Sequence, residues 1–161
     1  MEQRHGASPS DQENDVAGAS TARLNSSPEL AVDPASRPLV LLLENEPEEA
    51  APIADILTYM GYRRIIARSE ERARAELARE NQTVAVLVAD LNLSASEGLV
   101  FINEARSQPR YAALPIIITS GNGAAAALEL ARSLGRIDYL VKPFALADLL
   151  QCIRRWTQDE D

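Results

Sequence analysis

Cysteine and histidine are almost missing from this 161-residue sequence, which contains one of each, Cys152 and His5. An internal disulfide is therefore excluded, and one chain cannot assemble a zinc site from Cys and His ligands. The first residues lack the apolar stretch of a signal peptide, and no later apolar run is long enough to cross a bilayer. We therefore expect a soluble, cytoplasmic protein that does not bind a membrane.

A surplus of positive charge is missing as well. The 24 acidic residues outnumber the 16 basic ones and give a formal net charge of -8. Because this charge repels a phosphate backbone, a nucleic acid is not an expected partner. Hydrophobic residues make up 46% of the chain, enough for one ordinary core but not for a second independent one. Proteins and small ligands are the expected partners of a single domain.

Large apolar residues are scarce in the first part of the chain. Residues 1–37 are rich in Ser, Ala, Asp, Glu, Asn and Pro, which predicts a disordered N-terminal extension. The folded domain is expected over residues 38–157, and residues 158–161 form a short acidic tail.

Short apolar segments alternate with amphipathic ones over the predicted domain. Strands are predicted at residues 39–43, 64–67, 84–89, 116–119 and 139–141. Helices are predicted from Pro47 to the stop signal Gly61, from the cap Ser69 towards Asn81, at about 97–106 and 124–133, and in a last segment containing Leu146. Apolar strands that alternate with helices indicate a parallel sheet covered on both faces, an open α/β sandwich.

Helical spacing predicts which side chains of these helices face the core. They are Ile53, Ile56, Leu57 and Met60 in the first helix, Leu99 and Ile102 in the third, and Leu146, Leu149, Leu150 and Ile153 in the last.

Polar residues follow the apolar strands directly. They are Glu44, Asn45 and Glu46 after the first strand, Asp90 after the third, Ser120 after the fourth and Lys142 after the fifth. In open α/β sheets, ligands lie outside the carboxyl ends of the strands, so these side chains are expected at one rim. Carboxylates gathered there repel each other, and their oxygens are ligands that a hard cation such as Mg²⁺ prefers.

The same residues suit attack on phosphorus. Asp90 lies on the central strand and can act as a nucleophile, while Lys142 and a metal ion neutralise charge on the transferring group. The hydroxyl of Ser120 can donate a hydrogen bond to a phosphoryl oxygen and move toward it.

Four segments at these strand ends, LLLENEP, VLVADLNL, PIIITSG and DYLVKPF, stand in an order that resembles receiver domains of response regulators. The resemblance covers residues 38 to about 157, and Asp90 and Lys142 stand 52 positions apart with Ser120 between them. It implies a doubly wound, flavodoxin-like parallel sheet of five strands in the order 2-1-3-4-5. Among receiver domains, the sequence resembles the single-domain chemotaxis receiver.

The resemblance also implies roles for individual residues. Asp90 is the phospho-acceptor, charged by a histidine kinase or a phosphotransfer protein, and the fold then switches binding to a downstream protein partner. Mg²⁺ is bound by Glu44, Asn45, Asp90 and the backbone carbonyl of Asn92. Ser120 and Lys142 contact the phosphoryl group, Ser120 and Tyr139 act as switch residues, and the bond before Pro143 is cis. The chain takes part in its own phosphotransfer and is not expected to be an enzyme otherwise.

The acidic pair departs from the family pattern, because Glu44 and Asn45 replace the usual two aspartates. Asn45 keeps a carbonyl oxygen but lacks a full negative charge, so weaker Mg²⁺ binding is expected. A degenerate receiver that acts as a phosphorylation-independent adaptor is therefore an alternative.

An enzyme on the same sheet is the third alternative. Glu44, Asn45 and Glu46 oppose the phosphate of a flavin, and a phosphohydrolase needs a second acid that the sequence does not show after Asp90.

Overall fold

The computed structural model of the chain describes residues 33–91, 95–121, 129 and 133–158. Its five strands are β1 (Leu39–Leu43), β2 (Arg63–Ala67), β3 (Val86–Asp90), β4 (Ile116–Ser120) and β5 (Ile137–Val141). Every neighbouring pair is parallel, and the order across the sheet is β2-β1-β3-β4-β5. The predicted doubly wound sheet and its strand order are confirmed.

Four α-helices lie entirely within the described residues, and they are α1 (Pro47–Tyr59), α2 (Glu70–Leu77), α3 (Ala95–Ala105) and α4 (Leu146–Gln158). The helix predicted at 124–133 lies mostly outside the described residues, as do residues 1–32 of the predicted extension. Within that extension, Pro34–Ser36 form a short 3-10 helix. None of the helices in the described part of the chain has the length and apolar content required to cross a lipid bilayer.

The core lies on both faces of the sheet because successive side chains of a strand point to opposite sides. One face packs against α2 and α3, and the other packs against α1 and α4. The central strands β1 and β4 are buried along their whole length, whereas the edge strands β2 and β5 are partly exposed. This explains why the continuous apolar runs in the sequence mark the central strands most clearly.

The packing confirms most of the core positions predicted for the first and last helices. Ile53 and Leu57 of α1 are buried, and Met60, directly after this helix, packs against them while half-buried. Ile56 is also only half-buried, which corrects the prediction for that position. In α4, Leu149 and Ile153 are buried, and Leu146 and Leu150 pack against the same core while half-buried, as predicted.

The face of α3 is turned relative to the prediction. Leu99 remains 36% exposed, whereas Phe101, Ile102 and Ala105 are buried against the sheet. Phe101, Ile102 and Ala105 share one side of the helix, and Leu99 lies beside that side rather than within it.

Helix α2 ends at Leu77, four residues before the predicted end at Asn81, and side chains from outside the helix bond to its last carbonyl groups. Gln82 Nε2 donates to the carbonyl of Glu76 over 2.9 Å, and Arg110 Nη2 donates to that of Leu77 over 2.8 Å. Ser69 caps the other end as predicted, since its Oγ accepts from the backbone N–H of Arg72 over 3.1 Å.

Strand β3 begins at Val86 rather than at the predicted residue 84. The backbone N–H of Val84 donates to the hydroxyl of Tyr111 over 3.2 Å, and that of Ala85 donates to the carbonyl of Leu39 over 2.8 Å. A side-chain acceptor therefore takes the place of a strand partner at Val84.

Glu76 is a charged side chain inside the structure, with 2% of its surface exposed. Its oxygens accept hydrogen bonds from Gln82 Nε2 and Arg72 Nη2, both over short distances, and Arg79 Nη1 lies 3.5 Å away. The hydrogen bond from Gln82 lowers the pKa of Glu76 against the effect of burial, and the two arginines lower it further. The ionised carboxylate therefore stabilises the fold.

Glu76→Gln is expected to reduce the free energy of unfolding at neutral pH by about 2 kcal/mol, because charge-assisted hydrogen bonds are lost. A lowered pKa in the folded state contributes stability above the ordinary glutamate pKa of 4.5, and this contribution is lost as the pH falls through the folded value. Urea unfolding should therefore show a difference between the two proteins that closes in acid. The exposed Glu71→Gln serves as the control, and an equal loss there would contradict the assignment.

Candidate functional site

The carboxyl ends of the strands bring the predicted polar residues to one rim. Glu44 directly follows β1, Asp90 and Ser120 are the last residues of β3 and β4, and Lys142 directly follows β5. The register keeps these ends level, since Leu43 is paired with Ala89, Asp90 with Thr119, and Ser120 with Val141. Parallel strands in register therefore place residues from distant parts of the sequence side by side.

Lys142 joins the acidic side chains of this rim. Its Nζ lies 2.9 Å from Asp90 Oδ2 and 3.2 Å from Glu44 Oε2, and it also forms a salt bridge with Glu49. The side chains of Glu44 and Asp90 are only 2% and 6% exposed, whereas that of Lys142 is 20% exposed. One ammonium group thus forms salt bridges with three carboxylates at the edge of the core.

Burial and charge act in opposite directions on these groups. Burial alone would lower the pKa of Lys142, but the hydrogen bonds to Glu49 and Asp90 outweigh it and hold the pKa above its ordinary value. Burial raises the pKa of Glu44. The N–H of Glu46 donates to Glu44 Oε1 over 3.1 Å and acts to lower this pKa, whereas the negative charge of Asp90 acts to raise it further. Lys142 therefore stays protonated, but its single positive charge does not neutralise all three carboxylates.

A divalent cation fits this arrangement. One carboxylate oxygen from each of Glu44, Glu49 and Asp90 lies within 4.8 Å of the other two. Asp90 Oδ1 is buried and has no hydrogen-bond partner among the described residues. A buried anionic oxygen without a partner is costly, and a hard cation such as Mg²⁺ would satisfy it. Asn45 is exposed, and the predicted ligand Asn92 lies outside the described residues.

The other predicted site residues surround this cluster. Ser120 is buried, and its carbonyl accepts from the backbone N–H of Lys142 over 2.8 Å. Tyr139 lies on β5 opposite Ile118 and packs, half-buried, on the face of the sheet that α2 and α3 cover. The Lys142–Pro143 peptide bond is cis, as the resemblance implied.

Glu49 is the site residue that sequence reasoning missed. It lies in the first turn of α1, and its side chain is 49% exposed at the point where it meets Lys142. The sequence contained a signal for this residue. Acidic side chains are favoured in the first turn of a helix, and the first turn of α1 lies at the rim, close to the end of β1. Lys142 is also the only lysine among the 16 basic residues of the chain.

An apolar pocket of about 380 Å³ adjoins the cluster. It lies between α1 and the segment that follows β5, and it is lined by Glu44, Glu49, Pro52, Ile53, Lys142, Pro143, Phe144 and Leu146. A molecule in this pocket would contact Lys142 directly.

Comparison with known proteins gives consistent results. The family model for the response regulator receiver domain matches residues 40–154. The response regulator protein FleR of Pseudomonas aeruginosa is 31% identical over 116 residues, which are 72% of this chain but 24% of FleR. A chemotaxis protein CheY homolog of Campylobacter jejuni is 29% identical over 92 residues, or 57% of this chain and 71% of that protein. The chain thus spans only about a quarter of the length of FleR.

Solved structures share the fold. The receiver domain of the sensor histidine kinase PA1611 from Pseudomonas aeruginosa, described with a magnesium ion coordinated in its active site cleft, is 28% identical with a TM-score of 0.63. The alignment covers 76% of this chain and 98% of that domain. A response regulator receiver protein from Pseudomonas putida is 30% identical with a TM-score of 0.65, and the alignment covers 75% and 98% of the two chains.

Proposed function

Because the chain belongs to the response regulator receiver family of two-component signalling, we propose that Asp90 accepts a phosphoryl group from a histidine kinase or a phosphotransfer protein. The observation that carries this proposal is the position of Asp90 at the end of the central strand β3. There its carboxylate contacts Lys142 through Oδ2, and its Oδ1 has no hydrogen-bond partner within the described residues.

The proposed transfer forms one bond and breaks another. A carboxylate oxygen of Asp90 attacks phosphorus, and the bond from phosphorus to the donor breaks, so that the leaving group takes the electron pair and an aspartyl phosphate is formed. Lys142 can then exchange a carboxylate for a phosphoryl oxygen, which keeps its charge paired.

Glu44 and Asp90, with Asn45 and the backbone carbonyl of Asn92, would hold Mg²⁺ at this site. The ion would supply positive charge to the phosphoryl oxygens during transfer. The magnesium ion described for the PA1611 receiver domain supports this assignment.

The switch would start at Ser120. Its hydroxyl would donate to a phosphoryl oxygen of modified Asp90 and draw the end of β4 toward the site. Because the Ser120 carbonyl pairs with the N–H of Lys142, this movement would be transmitted to β5, which carries Tyr139. A rotamer change of Tyr139 would alter the surface around β5 and α4, where a downstream protein partner would bind.

A phosphorylation-independent adaptor remains the second candidate, and the observation that favours it is Asn45. This exposed amide stands directly after Glu44 and brings no negative charge to the cation site. Such an adaptor would bind its partner equally well with and without Mg²⁺ and a phosphodonor.

Incubation with acetyl phosphate and Mg²⁺ tests the proposed function. Intact-mass measurement should show the addition of one phosphoryl group per chain, and a chelator should prevent it. A protein that is folded by circular dichroism and stays unmodified at saturating Mg²⁺ would favour the adaptor instead.

A further inference from the structure

We propose that Glu49 is the third carboxylate of the cation site and compensates for the missing charge of Asn45. The inference rests on the proposed function, because the cation is assigned to phosphoryl transfer at Asp90. It differs from the set of ligands expected from the sequence, in which Asn45 completes the acidic pair.

The geometry of the rim is the first argument. Glu49 lies in the first turn of α1, and one of its carboxylate oxygens is within 4.8 Å of one oxygen each from Glu44 and Asp90. Ligand oxygens around a divalent cation lie at about 2.1 Å from Mg²⁺ and at about 2.3–2.6 Å from Ca²⁺, so oxygens on opposite sides of one ion are separated by up to about twice those lengths. Oxygens up to 4.8 Å apart meet this limit for Ca²⁺, whereas for Mg²⁺, with a limit of about 4.2 Å, they must come up to about 0.6 Å closer, which rotation of the half-exposed Glu49 side chain allows.

An independent observation comes from Asp90. Its side chain is only 6% exposed, and Oδ1 has no hydrogen-bond partner in the described part of the chain. Since Lys142 already binds the other oxygen, Oδ2, the ammonium does not satisfy Oδ1. An unsatisfied buried carboxylate oxygen beside two further carboxylates indicates a ligand that carries positive charge.

The charges of the cluster support a divalent ion. Glu44, Glu49 and Asp90 carry three negative charges, and Lys142 returns one, which leaves two negative charges for a cation to neutralise. Without Glu49, only one negative charge would remain for the cation to neutralise, because Asn45 is neutral. Glu49 has two oxygens, so it can keep Lys142 on one and ligate through the other.

Calorimetric titration of Mg²⁺ into the full chain, without a phosphodonor, tests the assignment. Glu49→Gln should bind Mg²⁺ at least about tenfold more weakly than wild type, a typical loss for a disturbed metal site. The matched control is Glu48→Gln, which removes an exposed glutamate from the same turn of α1 and should change the affinity less than about twofold. Circular dichroism and thermal melting show whether each variant is folded.

A second variant tests the compensation itself. Adding Asn45→Asp to Glu49→Gln returns the third negative charge, and the double variant should recover most of the lost affinity. Failure of a folded double variant to recover would overturn the compensation. An equal loss in Glu48→Gln and Glu49→Gln would overturn the ligand assignment, because it would show an effect of net charge alone. No saturable binding to wild type would overturn it as well.

These outcomes are separable from those for the proposed function. Phosphoryl uptake by wild type together with Mg²⁺ binding that does not depend on Glu49 would refute only the inference. Mg²⁺ binding that depends on Glu49 in a chain that takes up no phosphoryl group would refute only the proposed function.

Discussion

Asp90→Asn is expected to take up no phosphoryl group from acetyl phosphate under conditions that modify every wild-type chain once. The amide nitrogen and oxygen of asparagine lack the negative charge that makes the carboxylate a nucleophile, and the side chain keeps its shape. Intact mass and a phosphate-affinity gel report the modification directly. The expected effect is complete loss, which is larger than the effect of removing any supporting contact.

The matched control is Asp55→Asn, which makes the same change at an exposed position of α1. It should be modified like wild type. Undiminished uptake by Asp90→Asn would place the phosphoryl group elsewhere and contradict the proposed function. The fold of Asp90→Asn should be no less stable in the absence of Mg²⁺, because the substitution removes a buried negative charge beside Glu44.

Lys142→Met is expected to lower the free energy of unfolding in Mg²⁺-free buffer by about 3 kcal/mol, as for other buried ion pairs that lose one partner. Methionine keeps most of the apolar stem, so the loss comes from the charge. Glu44 and Asp90 are both nearly fully buried, and without Lys142 their carboxylates would repel each other and Glu49 with no ammonium between them.

Added Mg²⁺ should reduce this difference, because the variant carries one more negative charge that is not neutralised and should bind the cation more tightly than wild type. Since a ligand stabilises the folded state by RT ln(1 + [L]/Kd), tenfold tighter binding by the variant would reduce the difference by about 1.4 kcal/mol at saturating Mg²⁺. Chemical unfolding with and without Mg²⁺ measures both effects. Arg68→Met is the control, since it removes a positive charge from an exposed site. A loss in Lys142→Met no greater than in this control would show that the carboxylates do not depend on Lys142.

The architecture could be predicted from local patterns. The apolar runs of β1 and β4 stand out because the centre of a parallel sheet is buried on both faces, and amphipathic spacing located α1 and α4. The sequence predicts the end of a strand less accurately where the backbone there pairs with a side chain instead of with another strand. Val84 donates to the hydroxyl of Tyr111, which lies 27 positions away and gives no signal in the sequence around β3.

The rim followed from the sequence for the same reason. Asp90, Ser120 and Lys142 each end or directly follow a strand, and parallel strands of one sheet end on the same side. Knowing the strands was therefore enough to bring these residues together, without knowing any side-chain conformation.

The tertiary structure alone decided which side chains complete the cluster and how they are paired. Glu49 meets Lys142 across 93 positions, and Glu76 is buried because Gln82 and two arginines pair with its carboxylate. Such pairings depend on how helices are placed against the sheet, and sequence periodicity does not fix that placement to the precision of a hydrogen bond. The sequence by itself determined the order of the elements and the rim where the candidate site lies, because both follow from the local hydrophobic pattern. The pairing of the charges at that rim, including the contact of Glu49 with Lys142, was decided only by the packing of distant segments.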